Sequence, residues 1–175
     1  MKLKSLVIGV LALAVLSSPI LASQKEFKLR DKFITPQLGL NDWTIPFGVN
    51  FEYAYTKNIG LGGTGMVWMW SNEYLKESII WLSADVAYHF TKVKAEKLDL
   101  YGGGYLGFAI YSFSWKDEEL EDDDDVGSSN LTLGPFIGAR YYFNPKMAVN
   151  VRIDGSLIGH WASLGATVGL TFKLD

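Results

Sequence analysis

The chain is 175 residues long, 49% hydrophobic and 14% aromatic, with no cysteine and a formal net charge of −3. That length suits one domain, and the absence of cysteine excludes a disulfide framework and a thiolate metal site. The negative charge is local, since eight of the nineteen acidic residues fall within 117–125, and nothing elsewhere forms the basic stripe that nucleic acid requires.

Residues 1–22 read as a secretory signal peptide. Lys2 and Lys4 form the positive start, 6–16 the apolar core, and Ile20-Leu21-Ala22 a small-residue cleavage site before Ser23. The core is shorter than the roughly 20 residues a spanning helix needs, so cleavage is expected and the mature domain is 23–175. Without Lys2 and Lys4, fourteen basic residues face nineteen acidic ones; outside 117–125 the balance is fourteen against eleven. No later apolar run reaches helical span length. Lipid admits only helices and closed barrels, because every backbone polar group must be paired. A membrane location therefore requires a barrel.

A short polar lead-in, 23–30, precedes eight predicted strands at 32–40, 47–56, 59–70, 78–90, 98–114, 131–143, 148–158 and 163–174. Most approach the roughly 9–11 residues of a tilted membrane strand. The connections fall into two sets. Thr56-Lys57-Asn58, 91–97 and Asn144-Pro145-Lys146 lie at one end; 41–46, 71–77, 115–130 and 159–162 lie at the other. With both termini at one end, eight strands require three connections there and four opposite, as found.

Side chains on a strand alternate faces. In the second predicted strand Val49, Phe51, Tyr53 and Tyr55 share a face opposite Asn50 and Glu52. In the fourth, Ile80, Leu82, Ala84, Val86, Tyr88 and Phe90 oppose Ser83, Asp85 and His89. The sixth, seventh and eighth repeat the pattern, with Arg140, Arg152 and Asp154 on the polar side. Glycines leave the facing of strands three and five open. The aromatics segregate by end: Trp43, Trp68, Trp70, Trp81, Trp115 and Trp161 flank the longer connections, whereas Tyr55, Tyr88, Phe90, Tyr141, Phe143 and Phe172 flank the shorter ones. Membrane barrels carry aromatic girdles at both interfaces around an apolar band, and these twelve residues are the candidates for them.

Three passages, EYAYTKNIGLGG at 52–63, LYGGGYLGF at 100–108 and GARYYFNPKMAVNV at 138–151, together resemble the small eight-stranded outer-membrane barrels of Gram-negative bacteria, the OmpA/OmpX-like group. The resemblance implies an all-β, antiparallel up-and-down transmembrane barrel, monomeric, in contact with outer-membrane lipid and lipopolysaccharide and inserted by the barrel-assembly machinery. The family's terminal aromatic is displaced inward here, in Phe172-Lys173-Leu174-Asp175.

Glu52, Asp85, His89, Arg140, Arg152 and Asp154 are then expected to share a lumen just wide enough for side chains to fill. Buried charge persists only when paired, so a plugging network is expected; a gated path for ions or small solutes is the alternative. Asp117, Glu118, Glu119, Glu121, Asp122, Asp123, Asp124 and Asp125 form a loop that could gather calcium, although the EF-hand spacing is absent. Two isolated histidines do not make a metal site, and no cofactor is expected. A lipid A-modifying barrel enzyme would carry His-x-Ser-Asn-Ala, whereas this chain has His160-Trp161-Ala162-Ser163. A structural or surface-interacting role without catalysis is the expectation, with a soluble lipocalin-like barrel the alternative fold.

Overall fold

The computed structural model describes residues 27–40, 45–71, 75–90, 97–115, 128–158 and 165–175, with the side chains of 75 and 113–115 outside the description. Eight strands follow in order: β1 (Lys32–Leu40), β2 (Phe47–Ala54), β3 (Ile59–Ser71), β4 (Leu75–His89), β5 (Leu98–Trp115), β6 (Ser128–Asn144), β7 (Met147–Asp154) and β8 (Gly165–Leu174). Each pairs antiparallel with its sequence neighbour, and β1 returns to β8 from Lys32↔Leu174 to Leu40↔Ala166, closing the barrel. Closure removes the unpaired edges that would otherwise invite aggregation or face lipid unsatisfied.

Two short turns are fixed by their own side chains. The Thr56 hydroxyl accepts the backbone N–H groups of Asn58 and Ile59 at 3.2 and 2.9 Å, and the Asn144 carboxamide oxygen accepts that of Lys146 at 2.9 Å. Such local bonds stand in for the ladder where the chain reverses.

The wall is uneven. β3 to β6 run 13 to 18 residues, whereas β1, β2, β7 and β8 run 8 to 10. The seventh strand is shorter than its alternation predicts and stops at Asp154. There Gly155 donates its N–H to the Pro135 carbonyl at 2.8 Å and accepts from the Tyr105 hydroxyl at 3.0 Å. The Gly155 carbonyl approaches Gly134 so closely that a Cβ on Gly134 would strike it. Ile158 rejoins β6 through an isolated bridge to Leu133.

The two faces are inverted relative to a water-soluble protein. Leu82, Val86, Leu106, Phe108 and Ile137 are each more than half exposed, while Glu52, Asp85, His89, Arg140 and Arg152 are buried. An apolar belt of this kind is costly in water and at home in lipid. No helix among the described residues is long and apolar enough to span a membrane. The facing of β3 and β5, open from sequence, is now defined. Thr64 and Met66 point inward from β3, and Tyr101, Tyr105 and Ala109 from β5.

Candidate functional site: the charged lumen

All six charged residues expected in the lumen lie there, in two clusters. The first uses β2, β4, β5 and β6. His89, fully buried, places Nε2 2.7 Å from Glu52 Oε1 and Nδ1 2.9 Å from both oxygens of Asp99. Both ring nitrogens therefore face carboxylates, an arrangement completed when both donate. Arg140 donates through Nη2 to the other Glu52 oxygen in a direct ion pair, and its Nη1 lies 3.9 Å from Asp99. Glu52 and Asp99 are thus each contested by the same imidazole and the same guanidinium.

The second cluster centres on Asp85. Its carboxylate accepts from Asn50 Nδ2 at 3.1 Å, Thr64 Oγ1 at 2.6 Å, Ser83 Oγ at 2.7 Å and Arg152 Nη1 at 2.7 Å. Arg152 also reaches Asp154, through Nε at 2.7 Å and Nη2 at 2.6 Å. Charge-assisted bonds of this kind are the strong ones, and they satisfy acceptors that burial would otherwise leave unpaired.

Aromatic rings fill the space between the charges. Arg140 lies between the rings of Phe33 and Tyr101, 5.1 and 4.9 Å from their centroids, and Arg152 sits 3.8 Å from that of Phe136. The guanidinium plane is well suited to such stacking. Tyr101 donates its hydroxyl to Asn150 Oδ1 at 2.6 Å. The gap left between the clusters, lined among others by Glu52, Asp85, Arg140 and Arg152, holds about 20 Å³, room for roughly one water.

Both ends of this core are capped by aromatic residues. At the turn end, Phe27 from the lead-in stacks on His89 with centroids 3.6 Å apart, and on Phe33 at 5.7 Å. Toward the other end Trp81 donates Nε1–H to Thr132 Oγ1 at 3.0 Å and meets Tyr105 edge-on at 5.2 Å.

That last contact corrects the predicted girdle. Trp81 is buried inside the lumen, and Trp68 packs half-buried against the same inner cluster. Both have inward parity, Trp81 alternating with Ile80 and Leu82 and Trp68 following Thr64 and Met66. The indole N–H needs a partner when buried, and Thr132 supplies one for Trp81. Trp70 shares the inward parity of Trp68 but is exposed near the end of β3; Tyr55, Tyr88, Phe90 and Phe143 are exposed on the outward face, while Tyr141 and Phe172 are half-buried on that face. Trp43, Trp161, His160, Ser163 and the acidic stretch from Asp117 to Asp125 lie outside the described residues, as does the side chain of Trp115. Among the described residues, no group of three or more acidic, histidine or cysteine side chains is disposed to hold a metal.

The sequence reading missed Asp99, Tyr101, Phe136 and Phe27. For Asp99 a signal existed: Leu98, Leu100, Leu106, Phe108 and Ile110 share one parity, while Asp99, Tyr101, Tyr105 and Ala109 share the other. For Phe27 there was none, because its burial depends on the lead-in folding beneath the barrel.

No family model matches the chain, and no curated protein is similar enough in sequence to count as a relative. Solved structures do match. The N-terminal β-barrel domain of OprF from Pseudomonas aeruginosa is 16% identical, covers 83% of this chain and 98% of its own, and has a TM-score of 0.61. Neisserial surface protein A is 11% identical over 82% of this chain and 95% of its own, with a TM-score of 0.59. A de novo designed transmembrane β-barrel is 18% identical over 84% and 98%, with a TM-score of 0.51. The chain therefore has the closed eight-stranded fold of small outer-membrane barrels. A designed barrel shares it, so the fold does not carry a function with it.

Proposed function

We propose that this chain is a bacterial outer-membrane protein with a structural or surface-interacting, non-enzymatic role, and that its lumen is plugged by the charged network. The observation that carries the reading is the continuity of the two clusters. Glu52, Asp99, His89 and Arg140 pass into Asp85, Arg152 and Asp154 across a gap no larger than about 20 Å³. A hydrated ion needs a wider path, and each charge it displaced would be left buried without its partner. In this reading the leader is cleaved on export, the barrel-assembly machinery inserts a monomer, and the longer connections meet lipopolysaccharide.

A narrow channel is the second reading, favoured by one observation: Arg140 stands between two carboxylates and could exchange Glu52 for Asp99. Planar-bilayer recording with purified barrel separates the two. The plug predicts no steady conductance, and large stable openings would replace it with the channel.

A further inference from the structure

Charge is unevenly placed around the turn end of the barrel. Lys173 is tied to Asp31 at 2.7 Å and Lys146 to Asp175 at 2.6 Å. Among the described residues of this rim, those pairs engage Asp31 and Asp175. Lys28, Arg30, Lys32 and Lys57 remain, all exposed and none in an ion pair among the described residues. At the opposite end the described rim contributes only Lys76 and Glu77.

The free cations are neighbours. Lys32 is the outward residue of β1 that faces Tyr53 on one side and Leu174 on the other. Arg30 donates its backbone N–H to the Ala54 carbonyl at 2.8 Å, and its φ of 71° turns the chain back beneath the wall. Lys57 sits three residues beyond Ala54 in the β2–β3 turn. With strands about 4.8 Å apart, their charged ends gather on one sector of the rim. Exposed apolar and tyrosyl side chains adjoin them in the chain: Leu29 beside Arg30 and Tyr55 near Lys57, 51% and 59% exposed, with Leu174, 40% exposed, across from Lys32 on β8. Cations on flexible stems beside exposed apolar and tyrosyl surface suit the boundary between headgroups and acyl chains. Among the described residues this patch has no anion of its own, and basic side chains at that depth attract anionic headgroups.

We propose that this sector binds an anionic phospholipid, with the headgroup phosphate held by Arg30, Lys32 and Lys57 and an acyl chain running along the outward Phe51 and Leu61. The proposal rests on the membrane-barrel reading. The test is lipid selectivity of the mature barrel refolded into dioleoylphosphatidylcholine vesicles containing a trace of spin-labelled lipid. Spin-labelled phosphatidylglycerol should be enriched on the order of fivefold over spin-labelled phosphatidylcholine at the protein surface, the factor supplied by roughly one basic residue near an anionic surface. The triple variant R30Q/K32Q/K57Q should lose most of that enrichment, and K76Q should keep it. Equal partition of the two lipids, or a preference that survives the triple variant, would overturn the proposal. So would abolition of the preference by millimolar glycerol phosphate, which would assign the site to a free phosphate. Heat-modifiable migration of every variant checks closure. An inserted barrel with no preference refutes the lipid site alone, whereas a chain that never inserts refutes the barrel reading beneath it.

Discussion

Replacing Glu52 by alanine tests whether the lumen network holds the barrel together. Glu52 is 4% exposed and accepts from both His89 Nε2 and Arg140 Nη2. Its removal leaves the Arg140 guanidinium buried with only the 3.9 Å approach to Asp99 as compensation. Breaking a buried ion pair by deleting one partner costs about 3–5 kcal/mol, and the lost bond to His89 adds to it. The partial alternative at Asp99 offsets some of this, so Glu52→Ala should cost about 3–5 kcal/mol. Glu52→Gln keeps one acceptor and should cost less, about 1–3 kcal/mol. Deleting Arg140 as well removes the stranded charge, so Glu52→Ala/Arg140→Ala should be more stable than the two single losses imply, by about 2 kcal/mol. The assay is equilibrium urea unfolding in phosphatidylcholine vesicles, with the folded fraction read from heat-modifiable migration. A Glu52→Ala cost below about 1 kcal/mol, or strict additivity in the cycle, would show that the clusters are ornament to a wall stable without them.

Two further outcomes test the inverted faces. Leu82 lies mid-strand on the outward side of β4 and is 54% exposed, so Leu82→Arg should destabilise the barrel in vesicles by about 2–4 kcal/mol; a near-zero cost would mean that this face meets water. Trp81 should be shielded from lipid. In a variant retaining only that tryptophan, phospholipids brominated on their chains should quench its fluorescence much less than that of a sole tryptophan introduced by Leu82→Trp, and equal quenching would return Trp81 to the girdle.

The barrel itself was legible because a membrane wall writes its two faces into the sequence at period two. Val149, Val151 and Ile153 against Asn150, Arg152 and Asp154 define β7 as clearly in the sequence as in the coordinates. What blurred β3 and β5 was glycine on both faces, at 60, 62, 63 and 65 and at 102 to 104. The tryptophans were misread for a different reason. Their position along the barrel axis matches a girdle, while the parity of Trp81 between Ile80 and Leu82 points inward already in the sequence; that of Trp68 lies in the glycine-blurred third strand. Partner choice inside the lumen was not legible at all. Glu52 and Arg140 are 88 residues apart, and their meeting depends on strand register and barrel closure rather than on any local pattern.

Glycine also lets large side chains pack across the lumen. Gly60 faces the Glu52 carboxylate and Gly138 the Tyr101 ring so closely that a Cβ at either would collide, and at Gly103 it would come within 2.8 Å of Phe136 Cζ. Large inward side chains thus lie over positions with no side chain on neighbouring strands, and the section is filled by this size exchange. Rotating one residue does not open such a section, because the niche it leaves is walled by backbone and the residues around it are already committed. Arg140 is flanked by two rings and Arg152 covers a third, so a path along the axis would require Glu52, Arg140, Tyr101 and Phe136 to move together. That requirement adds to the continuity of the charged clusters in favour of the plug, since an exchange of ion-pair partners alone would leave the wall unchanged in shape.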